Sequence, residues 1–184
     1  VQVVSHFASG PVGSAVHAAE IAVVNRADTY FGAGWWLAGL ERLYCVPRAG
    51  GGCRTLWVGG DGSTRVYEPE ASGPGGRWVA QLPGRGADVI ALGDSGYVRE
   101  LPGGGEVYFD AAGRQYKTVN RLGQTTRFVY GAHGLTGIYA PGTGPGGPGT
   151  GDPAWTLHWD DAALLVRGIT ATVQGAPART TSLT

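Results

Sequence analysis

Four histidines, two cysteines and one pair of adjacent aspartates are the residues from which this 184-residue chain could build a chemical site. His6, His17, His133 and His158 are scattered, and none has a partner at the HxH or HxxxH spacing that sets two imidazoles on one face. His133 falls in a turn, where a solvated ring is expected. Gly93-Asp94-Ser95-Gly96 half resembles a nucleophile elbow but lacks the full Gly-x-Ser-x-Gly pattern, and reads better as a hairpin turn. Lys117 lacks the upstream glycines of a phosphate-binding loop. Gly32-Ala33-Gly34 has no third glycine and no helix after it, which argues against a dinucleotide site. Asp160-Asp161 could hold Ca²⁺, but a turn-forming aspartate beside a solvated neighbour is the favoured reading. These residues predict no catalytic set, no metal site and no cofactor, and a hydrolase is disfavoured for want of a nucleophile with its base.

Cys45 and Cys53 flank Val46-Pro47-Arg48-Ala49-Gly50-Gly51-Gly52, with Leu43-Tyr44 before them and Leu56-Trp57-Val58 after. That is a hairpin with a glycine-rich tip. Cysteines at equivalent positions on its two arms could bridge, and closing this loop would add roughly 2.6 kcal/mol in the chain-entropy account. Two independent thiols are the alternative. Zinc is disfavoured, because two cysteines without a nearby histidine are half a ligand set. A disulfide would imply an oxidising, extracytoplasmic location, so the chain is expected to be secreted.

The elements that would position such residues are short. The chain holds 34 glycines and 11 prolines, so few windows are long enough for a helix. Its hydrophobic content of 42% argues against disorder. Basic and acidic residues balance at 14 each, so no net field collects nucleic acid or an anionic membrane. The basic set is 13 Arg and the single Lys117, which reads as a composition bias rather than a phosphate site. No apolar run approaches the ~20 residues of a membrane span, and no membrane insertion is expected. There is no Met, and Ala178–Thr184 is strand-like without a terminator. The chain is therefore expected to begin after a cleavage or to be an excised segment.

The fold class expected is all-β. Val1–Phe7 and Ala15–Val24 carry strand-like residues around a Gly10-Pro11 turn. Further strands are expected over Leu37–Cys45, Arg54–Val58, Thr64–Glu68, Trp78–Leu82, Val89–Leu92, Tyr97–Leu101 and Glu106–Asp110. Beyond them come Gln115–Asn120, Thr125–Tyr130, Gly137–Ala140, Trp155–Trp159 and Leu164–Val173. Strands at this spacing read as a sandwich, a barrel or a meandering sheet. Pro141–Pro153 has nothing apolar to bury and is expected to be a surface loop between two strands. Glycines between the rings of Tyr30-Phe31-Gly32-Ala33-Gly34-Trp35-Trp36 suggest a tight bend that lets rings pack on backbone.

An internal repeat is the informative feature. Phe109-Asp110-Ala111-Ala112-Gly113 is followed 21 residues later by Tyr130-Gly131-Ala132-His133-Gly134, and 29 residues after that by the weaker Trp159-Asp160-Asp161-Ala162-Ala163. Each copy is an aromatic at a strand end and then a turn, and Asp110 and Gly113 suit positions i and i+3 of a type I turn. One such unit cannot bury its own aromatic, but a stack of units can.

Phe109-Asp110-x-x-Gly113-Arg114 and Gly123-x-x-Thr126-x-Phe128-x-Tyr130 resemble the YD repeats of RHS-type proteins. Upstream, Tyr30–Leu37 is similar to the segment that opens an RHS shell, and Leu56–Tyr67 to the hairpin after it. Gly103–Asp110 then leads into the first YD unit. The resemblance covers roughly residues 20–175. It implies a meandering antiparallel sheet of short strands and hairpins in an RHS shell-like, YD-repeat architecture. Residues 1–184 would form one such unit, with shell-opening strands over 1–105 and about three repeats over 106–184. RHS shells are β-ribbons that spiral into a hollow cocoon, enclosing a toxic domain in bacteria; a related shell serves cell-surface adhesion in teneurins. The resemblance thus implies a structural, non-catalytic shell segment. This sequence lacks the many further units of a full shell, its carboxy-terminal core and its self-cleavage site. Cut sheet edges would pair with copies of the chain or with the rest of a parent shell. The rival function is a glycan- or cell-surface-binding adhesive module, in which exposed tryptophans stack on a ligand. Burial of those rings between strands is the favoured reading.

Overall fold

The computed structural model describes residues 24–48, 51–70, 76–80, 88–141, 154–173 and 176–183. The strand expected over Val1–Phe7 lies outside the described residues, as do all but the last residue of Ala15–Val24 and most of the loop expected over Pro141–Pro153. Among the described residues thirteen strands form one antiparallel sheet, and each pairs with its neighbours in sequence. In order they are β1 (Arg42–Pro47), β2 (Cys53–Val58), β3 (Thr64–Pro69), β4 (Arg77–Ala80), β5 (Val89–Gly93), β6 (Gly96–Leu101) and β7 (Gly105–Asp110). Then follow β8 (Gln115–Val119), β9 (Thr125–Tyr130), β10 (Leu135–Tyr139), β11 (Trp155–Asp160), β12 (Leu165–Ala171) and β13 (Arg179–Ser182). The described residues contain no helix. Of the three all-β arrangements the spacing allowed, the sheet is the meander.

Local chemistry accounts for most of these elements. In β7, Val107 and Phe109 alternate with Glu106 and Tyr108, so one face is apolar and the other carries a Tyr108–Glu106 hydrogen bond. Asp94-Ser95 makes the two-residue turn between the paired Gly93 and Gly96. Leu37–Glu41, expected as the start of a strand, is instead irregular. Leu40 N–H bonds the Leu37 carbonyl, and the β2–β3 turn presses against this segment at Gly60. A Cβ on Gly60 would come within 2.6 Å of the Leu37 oxygen, so the two chains meet backbone to backbone.

Two apolar clusters hold the sheet. The first gathers Leu43, Trp57, Tyr67, Ile90, Val107 and Phe109 from β1, β2, β3, β5 and β7. Strands so far apart in the ladder can touch only if the sheet curls. Leu43 N–H does donate to the Gly113 carbonyl at 2.9 Å, and Arg42 bridges to Arg114, bringing β1 round to the turn after β7. The second cluster gathers Leu40, Leu135, Leu157 and Val166, with Tyr30, Phe31 and Trp36 packed against it.

Cys45 and Cys53 are joined, with Cα atoms 5.3 Å apart. They do not sit at equivalent positions: Cys53 pairs with Pro47 and Cys45 with Thr55, so the bridge runs diagonally across β1 and β2.

A buried polar network lies inside the curl. Arg99 is 6% exposed, and its guanidinium bonds both oxygens of Asp88 at 3.0 and 3.1 Å. It also bonds both oxygens of Glu41 at 3.1 and 3.0 Å. Tyr67 donates to Asp88 at 2.7 Å, Trp57 Nε1 donates to Glu41 at 2.6 Å, and Arg65 pairs with Asp88. Arg99 also lies over the Trp57 ring, 4.1 Å from its centroid. Two guanidinium groups face two carboxylates, so the buried charge is balanced. Arginine, read from composition as a bias, here does structural work. Truncating Arg99→Ala leaves Asp88 and Glu41 buried without their shared partner. Urea unfolding should show a loss of about 3–5 kcal/mol, and Arg99→Lys should restore little of it, because lysine lacks the planar fork.

Candidate functional site: the repeat turns

The three repeat copies close three hairpins, and their turns are built differently. In the first, Phe109, next to last in β7, is fully buried. Asp110 Oδ1 accepts from the N–H groups of Ala112 (3.0 Å) and Arg114 (2.8 Å), and Oδ2 accepts from Arg114 Nε at 2.7 Å. Gly113 N–H donates to the Asp110 carbonyl, the i to i+3 bond of the turn. Gly113 has φ +75°, and a Cβ there would strike the Leu43 carbonyl, so glycine is required twice over. The second copy has no carboxylate, and Tyr130 passes into a tight turn closed by Gly131 N–H to the Gly134 carbonyl at 2.8 Å. In the third, Asp160 Oδ1 accepts from Ala162 and Ala163, and Oδ2 from Arg167. The Ala163 N–H, then Arg167, hold the Asp160 carboxyl below its ordinary range. With no glycine available, Leu164 itself takes φ 54°.

Beside each repeat aromatic the ladder slips by one residue. Phe109 pairs with Gln115, Tyr130 with Leu135 and Trp159 with Val166, and an extra residue follows each partner: Tyr116, Thr136 and Arg167. All three partners are buried. Each later aromatic also reaches back to the earlier unit. Tyr130 OH donates to the Gln115 carbonyl at 2.8 Å, and Trp159 Nε1 donates to the Leu135 carbonyl at 3.0 Å. Arg114 adds a cation–π contact over Tyr130. Gln115, Leu135 and Val166 are the residues that sequence reasoning missed. They differ in type and lie six, five and seven residues after their aromatics, so no fixed spacing marks them.

One segment runs along all three turns. Tyr30 accepts a backbone bond from Val166 and sets its ring 5.1 Å from that of Trp159. A Cβ on Gly134 would come within 2.7 Å of the Trp159 ring and 3.3 Å of Tyr30, so the second copy closes the same stack. Farther along, Glu41 N–H bonds the Gln115 side chain and Leu43 N–H the Gly113 carbonyl, both of the first copy. The tight bend expected here is present, with Gly32 N–H on the Thr29 carbonyl and Gly34 N–H on the Arg26 carbonyl.

Comparison with family models, with curated proteins and with solved structures finds no match to this chain. The reading of the site therefore rests on its own geometry. His133 lies 3.6 Å from Asp161, whose side chain is 83% exposed, and His158 bonds Thr170; His6 and His17 fall outside the described residues. Of the six tryptophans, Trp35 and Trp155 are exposed, Trp57 is buried, and Trp36, Trp78 and Trp159 are partly buried. The arrangement suits stacking unit on unit, through an aromatic that hydrogen-bonds its predecessor.

The turns respond oppositely to substitution. Gly113→Ala should destabilise the chain by about 1–3 kcal/mol or more, whereas Leu164→Gly should stabilise it by about 1 kcal/mol, as measured by thermal unfolding. A second prediction comes from the phenols. Burial raises the pKa of Tyr30 to about 12 and also raises those of Tyr67 and Tyr130. A proton held more tightly by the folded state stabilises it fully below the unfolded pKa of ~10, and that contribution is lost as pH rises toward the folded value. Denaturant unfolding from pH 9 to 11 should show falling stability, and Tyr30→Phe should flatten the fall.

Proposed function

We propose that the chain is a structural, non-catalytic segment of a secreted RHS/YD-repeat shell, serving toxin encapsulation or an extracellular scaffold. The observation that carries this reading is the bond from each of the two later repeat aromatics, Tyr130 and Trp159, to the carbonyl of the residue paired with the preceding aromatic. A unit that secures its predecessor in this way suits an extended ladder, which is what a shell wall requires. The Cys45–Cys53 disulfide is compatible with an extracellular protein. Two exposed indoles fall short of a stacking row, so the shell reading is preferred to a glycan-binding adhesive module.

Assembly would use the sheet edge at β13. The edge of β1 is partly occupied, since Leu43 and Arg42 already meet the turn after β7. Among the described residues β13 has a partner on one side only. Leu183 N–H bonds inward to Arg167, so the alternation of an antiparallel ladder turns the N–H groups of Thr180 and Ser182 outward. In this reading that row pairs with another copy or with the rest of a parent shell. Sedimentation at low micromolar concentration should show species larger than 19.0 kDa. Thr180→Pro, which removes an outward donor and keeps the inner ladder, should shift them toward the monomer. A single 19.0 kDa species for the unaltered chain, stable over days, would count against the reading.

A further inference from the structure

A groove of about 730 Å³ opens where the sheet from β9 to β13 faces the Leu37–Gly39 segment. That volume falls within the range of about 300–1,000 Å³ in which proteins hold small ligands. The register explains its shape. Phe128 pairs with Ile138, Ile138 with Trp155, Trp155 with Ala171 and Ala171 with Arg179. Residues paired in register share a face, so these five form one straight row across five strands. Four inter-strand spacings make the row about 19 Å long. Leu157, Ile169 and Thr181 form a second row beside it, so the floor is two side chains wide, about 7 Å. Its charge is confined to one end. Among the described residues Arg179 is the only charged one lining the groove, and no carboxylate pairs with it.

We propose that this groove binds a single-chain amphiphile with an anionic head, of the long-chain fatty acid class, its tail along the Phe128–Ala171 row and its carboxylate on Arg179. The dimensions select this class. An acyl tail, half of a bilayer's hydrocarbon thickness, is about 15 Å long, which fits the row and leaves its end for the head group. A width of two side chains admits one tail but not the two of a membrane phospholipid. A β-strand is a poor occupant, because it would run parallel to the strands of the sheet and the groove crosses them. The guanidinium offers a planar fork that matches a carboxylate. This site is independent of any role in shell assembly, since it uses the face of the sheet and not its edge.

The test uses the full chain, freed of lipid, with palmitate and hexadecanol competing against a fluorescent polyene fatty acid. Palmitate should bind saturably, one per chain, below its micelle concentration, and about tenfold more tightly than the alcohol. Arg179→Glu lies on an exposed edge strand and should lower palmitate affinity about tenfold while leaving hexadecanol unchanged. Ala171→Trp, which fills the row beside its charged end, should weaken both ligands; retained thermal unfolding would show that the variant still folds. Equal affinity for acid and alcohol, or insensitivity to Arg179→Glu, overturns the proposal. So does the absence of saturable binding, as would follow if the chain's own residues 1–23 filled the groove. Association with phosphatidylglycerol vesicles without uptake of free palmitate overturns it as well.

Discussion

A guanidinium removed from water dictates how this sheet bends. Arg99 can be buried only if carboxylates meet it, and those carboxylates come from distant parts of the chain: Glu41 ahead of β1 and Asp88 ahead of β5. Drawing them together brings the beginning of the sheet over its middle. Tyr67 and Trp57 then spend their polar hydrogens on the same two carboxylates, and their rings fill the space around them. A buried ion pair of this kind adds little net stability compared with an apolar core. Its effect is on specificity, because a sheet that stayed flat or slipped its register would leave several charges unpaired in an apolar setting.

Beyond β7 no such charge network holds the sheet among the described residues, and a different constraint takes over. Hairpin follows hairpin, and each aromatic that ends a strand is too large to be covered by its own unit. Tyr130 and Trp159 resolve this by lying back on the unit before, each with its polar hydrogen on a buried carbonyl. The bulge lies on the strand opposite each aromatic, bends that strand and turns the partner, Gln115, Leu135 or Val166, inward. The segment from Tyr30 to Leu43 then covers the ends of the turns and joins the two apolar clusters. Neither half of the sheet is complete without that segment, which explains why so irregular a stretch carries so many rings.

The division between faces and edge matters for function. The proposed assembly through β13 would use main-chain groups and be indifferent to side-chain type. The groove on the face is the reverse: it depends on a row of apolar side chains and on one guanidinium at the end of that row. A single strand, β13, would serve both proposed surfaces, because its N–H groups lie in the plane of the sheet while Arg179 and Thr181 stand out of it.

By itself, the sequence determined what depends on neighbouring residues. Glycine and proline frequency argued against long helices, alternation marked most of the described strands to within a residue or two, and the Asp110–Gly113 turn followed from local conformational preference. The Cys45–Cys53 pair was legible because both cysteines flank one hairpin tip. Arg99 was not legible in this way: the sequence counted it only as part of an arginine-rich composition, and Val98 beside it breaks the alternation that would have marked its face. Only the tertiary structure decided its partners, for Glu41 and Asp88 lie 58 and 11 residues away and nothing local links them. It likewise decided that Leu37–Glu41 would be a covering segment rather than a strand, through contact with the β2–β3 turn. The bulge partners Gln115, Leu135 and Val166, and the row from Phe128 to Arg179, belong to the same class. They are set by register between strands, and register is a property of pairs of segments that no single segment encodes.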